Sequence, residues 1–119
     1  MQAKLFDGEL KLMEILWETE PASAKELSVI AAERIGWNKN TTYTVIKKLI
    51  DKQVIERSEP GFICTSLVKK ADVRRAETES LLGRLYNGSK KALFSALLDD
   101  EELTADELDE LRAMIDSKR

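Results

Sequence analysis

Between residues 9 and 50 the apolar side chains recur at helical spacing, and from Val54 onward they stop doing so. This change of period constrains the fold more than any other feature, because a pattern that buries one face of a helix cannot bury the same residues as a strand. Three helical segments come first. In residues 9–18, Leu10, Met13, Leu16 and Trp17 form one stripe, widened by Leu12 and Ile15. Pro21 ends it, since proline cannot continue the hydrogen-bond ladder. Ser23 then stands as an N-cap with Glu26 as its capping-box partner, and Leu27, Ile30 and Ala31 form the buried side of a helix that runs to about Arg34 and stops at Gly36. Asn38 caps the third segment, whose apolar stripe is Val45, Ile46, Leu49 and Ile50. After it, Val54, Ile55 and Arg57 read as a short strand, Glu59-Pro60-Gly61 as a turn, and Phe62-Ile63-Cys64-Thr65 as the returning strand.

Helical spacing resumes at Ala71. Val73, Ala76, Leu81, Leu82 and Leu85 are its apolar positions, and Asn87-Gly88 stops it. Ser89 caps a segment carrying Leu93, Phe94, Leu97 and Leu98, and the acidic run Asp99-Asp100-Glu101-Glu102 follows as a solvated linker. Thr104, with Glu107 at the box position, starts a last helix bearing Leu108, Leu111, Met114 and Ile115. The expected architecture is therefore mainly α with a small β-hairpin. Residues 1–70 read as a winged helix-turn-helix domain and residues 71–119 as a helical dimerisation region. About fifty residues are too few to bury much core of their own, so the leucine faces are expected to meet a second copy. Leu81, Leu85, Tyr86, Leu93, Phe94, Leu97, Leu108, Leu111 and Ile115 are the candidate dimer contacts. Folding back onto the N-terminal domain is the alternative.

A helix that enters the major groove needs side chains that bond base edges and phosphates without repelling them. The outer face of the third helix holds Asn40, Thr41, Thr44, Lys47 and Lys48, with no carboxylate until Asp51 in its last turn. Asparagine reads adenine, threonine reaches bases, phosphates or the thymine methyl, and lysine neutralises phosphate. Asn40, Thr41 and Thr44 are thus the candidate base contacts, and Lys39, Lys47 and Lys48 the candidate phosphate contacts. The net charge of −3 looks unfavourable for such a partner, but its distribution is not. Residues 1–70 carry 11 Lys and Arg against 10 Asp and Glu, whereas residues 71–119 carry 8 against 12. Within residues 34–57 six cations (Arg34, Lys39, Lys47, Lys48, Lys52, Arg57) face two anions, Asp51 and Glu56.

Other functions are poorly served. A single cysteine and no histidine leave neither an internal disulfide, nor a metal cluster of ordinary spacing, nor the commonest general base, and no cofactor is implied. There is no Gly-rich phosphate loop and no G-x-S-x-G, so an enzyme is the weakest reading. Cys64 is expected to pack as a small apolar residue. No run is long enough to span a membrane and the N-terminus lacks an apolar signal core, which points to the cytoplasm. The competing non-enzymatic reading is a winged-helix protein-interaction module that uses its acidic C-terminal helices as the binding surface.

Nearly the whole chain resembles the penicillinase-repressor family of winged-helix repressors, which control β-lactamase, methicillin-resistance and copper-export genes. The carriers are Glu14-Ile15-Leu16-Trp17; Trp37-Asn38-Lys39-Asn40-Thr41-Thr42-Tyr43-Thr44, similar to the family's W-s-x-x-T-v-x-T; Leu85-Tyr86-Asn87-Gly88-Ser89, similar to F-y-n-G-s; Leu103-Thr104; and Glu107-Leu108 with Glu110-Leu111. The resemblance implies a homodimer joined by its C-terminal helices that represses by binding a palindromic operator, of the β-lactamase or antibiotic-resistance regulator type. It puts readout on the positions of Asn40, Thr41 and Thr44. It also implies a membrane sensor protease, or its signalling product, as a further partner. The drug-resistance branch is cleaved at an Asn-Phe bond, for which Ala96-Leu97 stands here, and the copper branch's paired C-terminal cysteines are absent. The wing arginine common in the branch is replaced near Pro60-Gly61, leaving Arg57 as the wing's phosphate contact.

Overall fold

The computed structural model describes residues 4–99 and 102–119. Its elements run α1 (Asp7–Thr19), β1 (Ala22–Ser23), α2 (Ala24–Ile35), α3 (Lys39–Asp51), β2 (Ile55–Ser58), β3 (Ile63–Ser66), α4 (Lys70–Leu85), α5 (Lys90–Leu98) and α6 (Ala105–Asp116). The helices begin where local chemistry starts them. Ser23 Oγ accepts from Glu26 N at 3.0 Å while Glu26 Oε1 accepts from Ser23 N at 3.4 Å, the reciprocal pair expected of a capping box. Thr104 and Glu107 repeat it at α6. Asn38 Oδ1 accepts from Thr41 N at 2.8 Å, and Ser89 Oγ from Ala92 N at 3.1 Å. Gly36 closes α2 with φ of 68°, a left-handed conformation that a side chain would oppose.

The chain divides into two compact units, Met1–Arg75 and Ala76–Arg119, and the division falls inside α4. In the first unit α1, α2 and α3 pack around one core. Leu12, Met13, Leu16, Leu27, Ala31, Ile46 and Leu49 are fully buried there with Cys64 from β3. Each large aliphatic side chain so buried contributes about 1.5–3 kcal/mol relative to exposure. The α1 stripe is centred one position away from its sequence reading. Leu12, Met13, Ile15 and Leu16 are its buried apolar residues, and Leu10 and Trp17 are half-buried at its margins. Trp17 nevertheless has a structural task, since its Nε1–H donates to Ser66 Oγ at 3.1 Å and to the Val68 carbonyl at 3.2 Å, tying α1 to the end of β3.

The hairpin is the larger part of a three-stranded antiparallel sheet of order β1-β3-β2. Arg57 lies opposite Cys64 and Ser58 opposite Ile63 across β2 and β3, while Ala22 and Ser23 add a third strand against Cys64 and Ile63. This extra strand fastens the wing to the start of α2, the first helix of the helix-turn-helix pair. Cys64 packs in the core as an apolar residue, as expected, and burial pushes its thiol up to about 11.

Among the described residues of the second unit only Leu82 is buried. Asn87 and Gly88, with φ of 50° and 79°, turn the chain out of α4. Asp99 and Glu102 of the acidic run are exposed, and Asp100 and Glu101 lie outside the described residues.

Candidate nucleic-acid interface

Helix α3 sorts its residues by face. Thr42, Ile46 and Leu49 are buried, and Thr42 settles its hydroxyl by donating to the Asn38 carbonyl at 3.2 Å. Lys39, Asn40, Thr41, Thr44, Lys47 and Lys48 are all exposed. The structure therefore leaves the three candidate base contacts and the three candidate phosphate lysines all exposed on α3, with Lys39 turned towards Tyr43. No acidic residue lies in the first turn, so the unpaired backbone amides and the positive end of the helix dipole meet no competing charge there. Among the described residues the Asn40 amide has no hydrogen-bond partner, which leaves its donor and acceptor pair available. Thr44 differs, because its Oγ1–H donates to the Asn40 carbonyl at 2.8 Å. Its hydroxyl hydrogen is already engaged, and a methyl group and acceptor lone pairs are what it has left to offer.

The cations of residues 34–57 are not equivalent. Arg34 Nη1 pairs with Glu18 Oε2 at 2.6 Å, joining α2 to α1, and this hydrogen bond and charge hold the Glu18 carboxyl below its usual range. Lys52 Nζ reaches Glu9 Oε1 at 2.6 Å, donates to the Lys4 carbonyl at 3.0 Å and lies 4.6 Å from the Phe6 ring centroid. Arg57 pairs with Glu59. Among the described residues, Lys39, Lys47 and Lys48 make no ion pair, so the unneutralised positive charge of this segment sits on α3.

Aromatic residues that the sequence reading passed over connect this helix to the wing. Tyr43, half-buried, meets Phe62 edge-to-face at a centroid distance of 5.9 Å. Lys39 Nζ lies 5.6 Å from the Tyr43 ring, and Arg57 Cζ 3.6 Å from the Phe62 ring. Phe62 adopts a left-handed φ of 51°, unusual for a bulky side chain, and its backbone is tied on both sides, its N–H donating to Glu59 Oε2 at 3.1 Å and its carbonyl accepting from Ala24 N at 2.9 Å. The four-residue spacing of Lys39 and Tyr43 was a visible signal of their contact. The partner of Tyr43 was not visible, because it arrives from the turn before β3, 19 residues away.

In the second unit, Leu85, Phe94, Leu97, Leu108 and Ile115 of the candidate dimer set are exposed, whereas Leu81, Tyr86, Leu93 and Leu111 are half-buried. Phe94 and Leu98 on α5 and Leu111, Met114, Ile115 and Lys118 on and beyond α6 line a cavity of about 280 Å³ whose walls are almost wholly apolar. Met114 and Leu98, outside the candidate set, are also exposed.

Residues 6–117 match the protein family described as penicillinase repressor. The chain is 29% identical over 116 residues to a penicillinase repressor of Staphylococcus aureus, covering 96% of this chain and 92% of that one. It is 26% identical over 117 residues to the methicillin resistance regulatory protein MecI of Mammaliicoccus sciuri, covering 97% and 95%. With a penicillinase repressor of Bacillus licheniformis it shares 23% identity over 118 residues, covering 98% and 92%. The solution structure of the DNA-binding domain of the repressor BlaI is similar at a TM-score of 0.55 and 22% identity, covering 60% of this chain and 93% of that one. That likeness establishes the winged-helix fold.

Proposed function

The chain belongs to the penicillinase repressor family, and from that premise we propose that it is a homodimeric transcriptional repressor that binds a palindromic operator with α3 in the major groove. Residues 1–70 are the DNA-binding part and residues 71–119 the dimerisation part. The observation that carries this reading is the α3 surface, where Asn40, Thr41 and Thr44 lie exposed among three lysines that make no ion pair among the described residues. In the groove, Asn40 bonds a base edge, Thr41 and Thr44 supply acceptor and methyl contacts, and Lys39, Lys47 and Lys48 neutralise flanking phosphates. A two-fold symmetric dimer presents two such helices to half-sites separated by a whole number of helical turns. The relatives whose names describe repression of penicillinase or regulation of methicillin resistance support the same reading.

Ala96-Leu97 on α5 stands where the resistance branch has its Asn-Phe pair, so this chain lacks the bond at which a membrane sensor protease would release it from the operator. Footprinting of the DNA upstream of the chain's own gene is the direct test. Two protected half-sites related by symmetry are expected. With three phosphate lysines from each protomer, log affinity should fall with log salt with a slope of about −5. Sequence-independent protection, or binding indifferent to salt, would rule the operator reading out. No binding at low salt, with capture of a partner protein on the acidic C-terminal helices instead, would favour the interaction module.

A further inference from the structure

The cation of the wing is already occupied. Arg57 Nε and Nη2 each lie 2.5 Å from Glu59 Oε1, and the guanidinium stacks on the Phe62 ring. The other carboxylate oxygen, Glu59 Oε2, accepts from Phe62 N at 3.1 Å, so the acid is fixed at two points across the turn. The Phe62 amide, followed by the Arg57 hydrogen bond, holds the Glu59 carboxyl below its usual range, and it is ionised at neutral pH. Pro60-Gly61 places no other cation in this turn.

We propose that Glu59 is an affinity-setting residue: a built-in stand-in for a phosphate that holds Arg57 until a DNA phosphate displaces it. This inference rests on the operator-binding reading above. A guanidinium meets carboxylate and phosphate with the same planar fork, so the two compete for one set of donors. While the pair persists the one cation of the wing is neutralised and releases no counterion on approaching DNA. The stacking on Phe62 keeps the guanidinium beside the α3 surface, through Tyr43 and Lys39, so a freed Arg57 needs no search to find the flanking backbone. Because the pair is exposed, it is weak enough to exchange. Glu59 thus lowers affinity for every sequence while leaving base selectivity to α3.

The test compares full-length wild type, Glu59→Gln, Arg57→Gln and the double variant on the footprinted operator and on a random duplex, each across a salt series. Glutamine keeps an oxygen for the Phe62 amide, and Glu59→Ser serves as a second variant if Glu59→Gln fails to fold. Glu59→Gln is expected to bind both duplexes about three- to tenfold more tightly at low salt, with a salt slope steeper by about 0.9 per protomer. Arg57→Gln leaves Glu59 unpaired beside the phosphates and should bind both duplexes more weakly than wild type, whereas the double variant, which keeps the net charge of the wild-type pair, should match wild type. Unchanged or weaker binding by Glu59→Gln overturns the inference. So does a double variant as tight as Glu59→Gln, since the gain would then be relief of repulsion without Arg57. If wild type itself fails to bind duplex, the operator reading falls and takes this inference with it; wild-type binding with an unmoved Glu59→Gln sinks the inference alone.

Discussion

Asn40 and Thr44 sit one helical turn apart yet bring different chemistry to a groove. The Asn40 amide has no partner among the described residues, whereas Thr44 has its hydroxyl hydrogen engaged on the Asn40 carbonyl at 2.8 Å. Asn40→Ala should therefore cost about 1–3 kcal/mol on the operator and little on random DNA, as expected for a lost bidentate base contact. If Thr44 acts through its methyl, Thr44→Val should retain more operator affinity than Thr44→Ser. Lys48→Ala should weaken both duplexes alike and flatten the salt slope. Fluorescence anisotropy on the two duplexes checks all four, and equal losses for Asn40→Ala on both would show that this residue does not read bases. Polarity and spacing made the identity of these residues legible in the sequence. The hydroxyl of Thr44 was not, because a bond to its own helix is decided by rotamer rather than by residue type. Cys64 yields a prediction of another kind. Its thiol titrates at about 11 in the fold against an ordinary 9.0, because burial disfavours the thiolate. The group has no effect on stability below pH 9. Between pH 9 and 11 the unfolded chain ionises first, so stability should fall as pH rises, by about 1.4 kcal/mol per unit at most. Urea unfolding at pH 8 and pH 10.5 for wild type and Cys64→Ala isolates this component, and identical pH dependence in the two would refute it.

At the scale of elements, the caps Ser23, Asn38, Ser89 and Thr104 were all readable, since each acts on amides two or three residues away. β1 was not. Its two residues carry no strand pattern of their own, and Ser23 is extended as the N-cap of α2; that they pair is decided by the 63–64 backbone beside them. The same limit hid the fastening of α1 to α3. Lys52 reads as one more cation of a basic segment, but it caps the end of α3 and reaches the carboxylate of Glu9, which is only 4% exposed. Glu9 Oε1 also accepts from Phe6 N at 2.8 Å, while its Oε2 is buried without a partner. Removing Lys52 would leave that acid buried and uncompensated. Lys52→Ala is therefore expected to lower stability by about 2–4 kcal/mol. Arg34→Ala, which breaks the exposed pair with Glu18, should cost less than about 1 kcal/mol. Urea denaturation at neutral pH decides between them, and equal costs would mean that burial of Glu9 does not control the energy of its pair.

For the whole molecule the decisive contrast is between a first unit that buries most of its large apolar residues and a second that leaves most of them exposed. Leu85, Phe94, Leu97, Leu98, Leu108, Met114 and Ile115 are each more than 40% exposed, whereas Leu82 alone is buried among the described residues of that unit. A soluble chain seldom leaves so much apolar surface uncovered, and the apolar cavity between α5 and α6 has room for a side chain from outside. A second copy is the occupant we propose, since two-fold pairing covers the same surface on both protomers at once. The amino-acid pattern made the leucine faces legible, but not which of them the fold would cover; Leu82 and Leu81 are adjacent, and only the former is buried. Leu97 gives the cleanest test because, at 55% exposure, it can take a charge without disturbing the protomer's own packing. Leu97→Glu should sediment as a monomer with unchanged helix content. It should also lose the avidity that two linked half-site contacts confer, binding the operator at least about a hundredfold more weakly. Wild type should show a melting temperature that rises with protein concentration, and Leu97→Glu one that does not. A Leu97→Glu protein of unchanged mass would place the dimer contact elsewhere, and a wild-type monomer that still protects both half-sites would mean that pairing occurs only on DNA.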